Sequence, residues 1–253
     1  MISLGVANSI ATLTLSRPPV NAISDALIVQ FSAKLDEIGA RGDCKVVHLR
    51  SDQKVFCAGA DLTEVRRRFG SPAGDKETLD YVTHLQALFN RLEALPQVTL
   101  AEIGGAAMGG GFELALACDL RIIALDARVG LPEARLGLIP GGGGTQRLTR
   151  LCGRATAARL IFGAEVLDGA AAVALGLGQW SAARDVIAAR AREIAEGIAA
   201  LPAAALSAAK RCIAAAGCPG DAGYLAERDE TRRLSANPET RERVTAFLAG
   251  QMR

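Results

Sequence analysis

Apolar and polar positions change period several times along the 253-residue chain, and each period predicts a different element. "SIATLTLS" (Ser9–Ser16) alternates with period two and is rich in β-branched residues, so it predicts a strand. It runs into "RPPVNAIS", whose prolines end any regular element. Ser24 is a good N-cap for a helix to about Ile38, with Leu27, Ile28, Phe31, Leu35 and Ile38 on one face. "KVVHLRS" (Lys45–Ser51), "VTLAEIGG" (Val98–Gly105) and "LRIIAL" (Leu120–Leu125) are short apolar runs that predict further strands. Between the first two, Leu79, Val82, Leu85, Phe89 and Leu92 recur at helical spacing. This alternation of strand and helix predicts an α/β fold with parallel pairing.

Beyond about residue 145 every pattern is helical: "TQRLTRLCG", "ATAARLIFG", "DGAAAVALGLG" and "DVIAARAREIAEGIAAL", with glycines as stops. From Pro202 onward the chain is Ala-rich and amphipathic, broken at "GCPGDAG" and "NPE". That tail is too thin to bury itself, which predicts packing on a partner subunit. The division expected is a core over 1–198 and a helical oligomerisation region over 199–253.

Half of the residues are hydrophobic and only 4% aromatic, so the core is built mainly from aliphatic side chains. A formal charge of +2, with no basic stripe interleaved with aromatics, argues against nucleic acid as a partner. The run Arg66-Arg67-Arg68 reads as a solvated helix face. Six cysteines without a C-x-x-C pair point to reduced thiols, and Cys57 reads as a packing residue. The N-terminus lacks a signal-peptide pattern and no run reaches the roughly 18 apolar residues of a span. A cytoplasmic location with no membrane partner is expected. His48 and His84 have no companion at ligand spacing, so no metal is expected.

Three stretches carry chemistry. "FCAGADL" (Phe56–Leu62) follows a strand and leaves backbone N–H groups accessible beside small side chains. "GGGFELALACD" (Gly109–Asp119) sets three glycines before a helix whose first turn contains Glu113. "GLPEARLGLIPGGGGTQRL" (Gly130–Leu148) sets Glu133 behind a proline and ahead of four glycines. Backbone donors aimed at one oxygen, with two carboxylates beside the adjacent carbons, suit chemistry through an enolate. The helix N-terminus is expected to favour the ionised form of Glu113.

These ordered motifs, with "LSRPPVNAIS" before them, resemble the crotonase, or enoyl-CoA hydratase/isomerase, family over nearly the whole chain. The resemblance implies a spiral of β-β-α units with a C-terminal helical region that drives trimers or dimers of trimers. It implies an acyl-CoA thioester substrate and no cofactor beyond the coenzyme A that the substrate carries. By motif position, Ala58 and Gly110 would supply the oxyanion-hole amides and Glu113 and Glu133 the two catalytic carboxyls. Ala60, Asp61, Leu62, Leu131, Pro140 and Gly141 would line the substrate.

The reaction implied is syn addition of water to a trans-2-enoyl-CoA, giving a 3-hydroxyacyl-CoA. Alternatives within the resemblance are double-bond isomerisation, hydration of a specialised cyclic dienoyl thioester, and a non-catalytic acyl-CoA-binding or RNA-binding homologue. One departure concerns the lysine that hydratases often carry after G-A-D. Thr63 and Glu64 stand there, leaving Arg66, Arg67, Lys76 or a neighbouring subunit for the CoA phosphates. The loop "RRRFGSPAGDKE" would border the acyl pocket.

Overall fold

An alternating strand needs a neighbour on each side to satisfy its backbone, and the first twenty residues supply one. In the computed structural model, which describes residues 1–251, β1 (Ile2–Ala7) turns at Asn8 and Ser9 and pairs antiparallel with β2 (Ile10–Leu15). The register sets Ile2 opposite Leu15 and Ala7 opposite Ile10. Helix α1 (Asp25–Gly39) follows, with the Ser24 side chain accepting from the Leu27 N–H. Its buried residues are the five apolar positions spaced for one face, Leu27 through Ile38. Then come β3 (Val46–Ser51), α2 (Leu62–Arg68), α3 (Pro72–Glu93) and β4 (Val98–Ile103).

The segment between β4 and the helical half is made of short elements. They are β5 (Ala107–Met108), α4 (Gly110–Leu116), β6 (Leu120–Ala124), β7 (Val129–Gly130) and a single 3-10 turn at Glu133–Leu136. Next are α5 (Gly144–Phe162), β8 (Val166–Leu167), α6 (Gly169–Ala174), β9 (Trp180–Ala182) and α7 (Ile187–Ala199). Gly153, at φ 77° and ψ 160°, breaks α5 between the two segments that the pattern separates. Helices α8 (Ala203–Ala215), α9 (Ala222–Ser235) and α10 (Pro238–Leu248) complete the described chain.

The main sheet runs β1-β2-β3-β4-β6-β9 and is parallel from β2 onward. Its central strands are buried on both faces: Val46, Val47, Leu49, Leu100, Ile122 and Ile123 are nearly inaccessible. A second sheet has the order β5-β7-β8. There β5 meets Cys57 through an isolated bridge, and Ala60 bridges to Ile23. The first bridge brings the motifs at 56–62 and 107–113 side by side, and the second ties the 56–62 motif to the segment before α1. No single helix among the described residues is long and apolar enough to cross a membrane.

Several expectations from the sequence change here: β8 and β9 are strands within the stretch read as helical throughout, because they form by pairing with β7 and β6. Residues 66–77 form no continuous loop: Arg66–Arg68 end α2, and α3 begins at Pro72 behind the Ser71 cap, seven residues before Leu79. Leu79 itself is 68% exposed, because the buried stripe of α3 is Tyr81, Leu85, Leu88, Phe89 and Leu92. Nor is Arg68 solvated. It is 3% exposed, ion-paired to Asp25 at 2.6 Å, and stacked 4.7 Å from the centre of the Tyr81 ring. A cation over an aromatic face with a carboxylate partner recovers what burial of the charge costs.

In the tail, α8 contacts β4 and α9, and Lys210 anchors it by donating to Asp119 at 2.7 Å and to the Gln97 carbonyl. Helix α10 buries none of its residues and leaves Val244, Phe247 and Leu248 exposed.

Candidate active site

The site is built on three glycine turns. At the first, Gly59 takes φ +94°, and a Cβ there would stand 2.7 Å from the Met108 carbonyl. Only glycine lets the 56–62 and 107–111 segments approach this closely. Ile23 locks the strand beside it by donating to the Gly59 carbonyl at 2.7 Å and accepting from the Asp61 N–H at 3.1 Å. The Tyr81 hydroxyl donates to the same Ile23 carbonyl.

Ala58 is not free to bind a ligand through its amide. Its N–H donates to the Val20 carbonyl at 3.0 Å, which corrects the assignment made from the motif. The amides of Ala60 and Gly110, by contrast, have no acceptor among the described residues. They are neighbours, since a Cβ on Gly110 would lie 3.7 Å from the Ala60 nitrogen. Gly110 is the first residue of α4, where an N–H has no partner within the helix.

Glu113 projects from the first turn of α4 and is 2% exposed. Its Oε1 accepts from the Gly144 N–H at 2.7 Å. The turn at 141–144 closes on it: a Cβ on Gly142 would meet Oε2 at 2.7 Å, and one on Gly144 would meet Oε1 at 2.7 Å. Burial pushes the Glu113 carboxyl up to about 7, against the pull of the Gly144 and Gly142 amides and with a further push from Glu133. The helix N-terminus therefore does not keep this carboxyl at or below its ordinary value, contrary to the expectation from sequence. A terminus of a seven-residue helix supplies a partial charge, whereas loss of water is felt by the whole carboxylate.

Glu133 opens the 3-10 turn and stands over Gly109, whose φ is +52° and whose Cβ would come within 2.9 Å of Oε1. Its Oε2 is buried without a hydrogen-bond partner, and burial raises this carboxyl too. Glu113 thus lies among Leu85, Phe89 and Leu131 at the walls of Gly142 and Gly144, close enough to Glu133 to feel its charge.

The remaining residues singled out in the sequence divide by what they touch. Asp61 caps α2 through Thr63 and pairs with Arg17 at 2.7 Å, and that guanidinium holds its carboxyl below the usual range. Leu62 is exposed at the start of α2, while Leu131 is buried against Gly144. Pro140 is buried, and the Gly141 carbonyl accepts from Gln86. Of the cations considered for phosphate, Arg67 and Lys76 are engaged with Glu77 and Asp80, each at 2.8 Å. Cys57 is fully buried and its thiol is pushed up to about 12, consistent with packing. All six cysteines are free thiols.

Residues 5–249 match the family model described as enoyl-CoA hydratase/isomerase. The chain belongs to the enoyl-CoA hydratase/isomerase family. Within this family, a probable enoyl-CoA hydratase of Bacillus subtilis is 42% identical over 176 residues, 70% of this chain and 67% of that protein. The mitochondrial methylglutaconyl-CoA hydratase of Rattus norvegicus is 44% identical over 158 residues, 62% of this chain and 49% of that protein. The match thus spans about half of the rat protein's length. The crystal structure of the enoyl-CoA hydratase from Bacillus anthracis superposes with a TM-score of 0.92 at 32% identity, covering 99% of this chain and 96% of that one. An enoyl-CoA hydratase from Polaromonas superposes at 0.93 with 27% identity, covering 99% and 97%. The fold is that of the family, C-terminal helices included.

The glycines of the third turn differ in what they tolerate. Gly144→Ala is expected to cost about 1–3 kcal/mol in urea unfolding, because its methyl group overlaps Glu113 and Leu131. Gly141→Ala, whose Cβ would rest 3.5 Å from Val82, is expected to stay within about 0.5 kcal/mol of the parent. Equal costs at both positions would show that the turn does not close on Glu113.

Proposed function

We propose that the protein hydrates a trans-2-enoyl-CoA by syn addition of water, giving a 3-hydroxyacyl-CoA. The observation that carries this reading is the pair of acids, buried Glu113 and half-buried Glu133 with its Oε2 unpartnered, beside two adjacent backbone amides that have no acceptor among the described residues. The thioester oxygen sits between the N–H groups of Ala60 and Gly110 and draws electron density from the conjugated double bond. Glu113, ionised, takes a proton from water as its oxygen bonds to the β-carbon. Glu133, protonated, delivers a proton to the α-carbon, and the enolate charge on the thioester oxygen collapses back. Water's oxygen and the two hydrogens added to the double bond balance, and no redox step or cofactor enters.

Two carboxyls close enough for one to feel the other's charge titrate as a coupled pair that holds one proton in the working state. Burial of Glu113 without a cation bonded to it supports this, since it keeps proton affinity near neutrality and lets the pair both give and take. The relatives' names support hydration over isomerisation. The exposed apolar residues of α10 support a second part of the reading, in which region 199–253 joins subunits into trimers or dimers of trimers. Sedimentation velocity tests that part.

Mixing the purified protein with crotonyl-CoA and following loss of the enoyl-thioester absorbance tests the reaction. Hydration is expected, with kcat/KM rising through about pH 7 as Glu113 loses its proton and falling again at higher pH as the pair gives up the proton that Glu133 delivers. No turnover at any pH, or an acid limb near pH 4.5, would count against the assignment. Migration of the double bond in a 3-enoyl-CoA without water uptake would identify an isomerase instead.

A further inference from the structure

Four consecutive glycines carry no side chains to pin them, yet the turn at 141–144 must present its N–H groups to Glu113. Backbone freedom of that size makes a glycine run a poor scaffold on its own. Something outside it has to fix the peptide planes.

Arg147 is placed to do so. It is 4% exposed, one turn into α5, and every arm of its guanidinium is used. Nη1 donates to the Gly142 carbonyl at 2.9 Å, Nη2 to Asn90 Oδ1 at 2.7 Å, and Nε to Glu93 Oε2 at 2.9 Å. Asn90 and Glu93 belong to α3, so the guanidinium ties the glycine turn to a helix whose Leu85 and Phe89 already press on Gly142. Gly143, at φ +100°, leaves just enough room, for a Cβ there would stand 2.4 Å from Nη1. Drawing the Gly142 carbonyl outward toward Arg147 turns the neighbouring amides inward, and the Gly144 N–H reaches Glu113 at 2.7 Å. A planar fork with five donors can hold three acceptors in fixed directions, which a lysine cannot.

We propose that Arg147 is a positioning residue: by clamping the Gly142 carbonyl to α3 it holds the glycine turn so that its amides set both the direction and the proton affinity of Glu113. The inference rests on Glu113 being the base of the proposed reaction. The charged groups acting on Glu113 are Glu133 from the 3-10 turn and Arg147 itself from α5, while α3 presents Leu85 and Phe89 to the turn. Loss of the clamp is therefore read at one group.

The test is titration of the Glu113 carboxyl by 13C NMR in protein labelled at glutamate Cδ, with the resonance assigned by its absence in Glu113→Gln. In Arg147→Gln the midpoint is expected to rise by about one pH unit, the equivalent of one hydrogen bond to a charged group. Arg147→Lys is expected to rise less, because it restores charge without the fork. If hydration of crotonyl-CoA holds, kcat falls by about 10²-fold in Arg147→Gln with KM changed far less, as misplacement of a catalytic group by about 1 Å does. Asn90→Ala, which removes one arm of the clamp and leaves the ion pair, is expected to shift the midpoint in the same direction by a smaller amount. It serves where Arg147→Gln does not fold.

An unchanged Glu113 midpoint in folded Arg147→Gln, or in Asn90→Ala should that variant alone fold, overturns the proposal even if thermal stability drops. The NMR readout does not require turnover. A shifted midpoint in a protein that hydrates nothing would leave the clamp standing and remove the hydratase reading instead.

Discussion

Replacing Gly110 by proline is expected to lower kcat/KM for crotonyl-CoA hydration by about 10²–10³-fold while the protein still folds. Gly110 is the first residue of α4, the position in a helix where proline is most at home because its missing N–H has no helical partner to lose. The residue ahead of a proline is normally restricted by contact with its own Cβ, and Gly109 has none. A Cβ on Gly110 would meet Ile23 at 3.4 Å and the Ala60 nitrogen at 3.7 Å, which is close to ordinary contact. The substitution therefore deletes one N–H and little else from the fold. Gly110→Ala, which has the same Cβ but keeps the N–H, separates amide loss from added bulk. If the two variants lose activity equally, the Gly110 amide does not hold the developing charge. Circular dichroism melts within a few degrees of the parent would verify that the loss is not one of folding.

The second large effect is at Glu113. Glu113→Gln is expected to lower kcat by about 10²–10⁴-fold, the usual worth of a positioned acid or base. The same change is expected to stabilise the protein in a pH-dependent way. The folded-state carboxyl titrates near 7, above the 4.5 of an unfolded glutamate. Between those values the native protein holds a proton that the unfolded chain has released, so stability falls as pH rises through this window. Above it the full penalty of a buried charge is present, on the order of 3 kcal/mol. Glu113→Gln removes that penalty: its advantage in urea unfolding should be negligible at pH 4 and largest at pH 8. A stability difference independent of pH would mean that Glu113 titrates in the fold where it does in the unfolded chain, and the pH-rate limb near 7 would then need another owner. The opposing signs, activity lost and stability gained, are what a functional carboxyl kept in an apolar chamber produces.

The positions of these two residues were legible in the sequence because they are local features. A glycine followed three residues later by a glutamate at a helix start is a spacing, and helical geometry turns that spacing into a shared face. The same holds for α1, whose buried face is the one its period marks, and for the break in α5 at Gly153. Strands β2, β3, β4 and β6 followed from their apolar runs, whereas β1, no shorter, did not. The order of strand, helix and glycine turn, and with it the family, was present in the chain before any coordinate.

What tertiary structure alone decided has a common cause: each point depends on a group distant in sequence. Ala58 and Ala60 are both small residues of one motif, and only the Val20 carbonyl, thirty-eight residues upstream of Ala58, takes one amide and leaves the other. Arg68 looks like a member of a solvated run until Tyr81 and Asp25 close over it. The two-residue strands β5, β7 and β8 have no period to detect, since they exist by pairing with one another. Even the ionisation of Glu113, which its place at a helix start suggests in one direction, is reversed by the walls that residues 142 and 144 bring up against it. Local pattern specifies which face a residue occupies; how much water reaches it, and which partner claims its hydrogen bonds, is set by the chain folding back on itself.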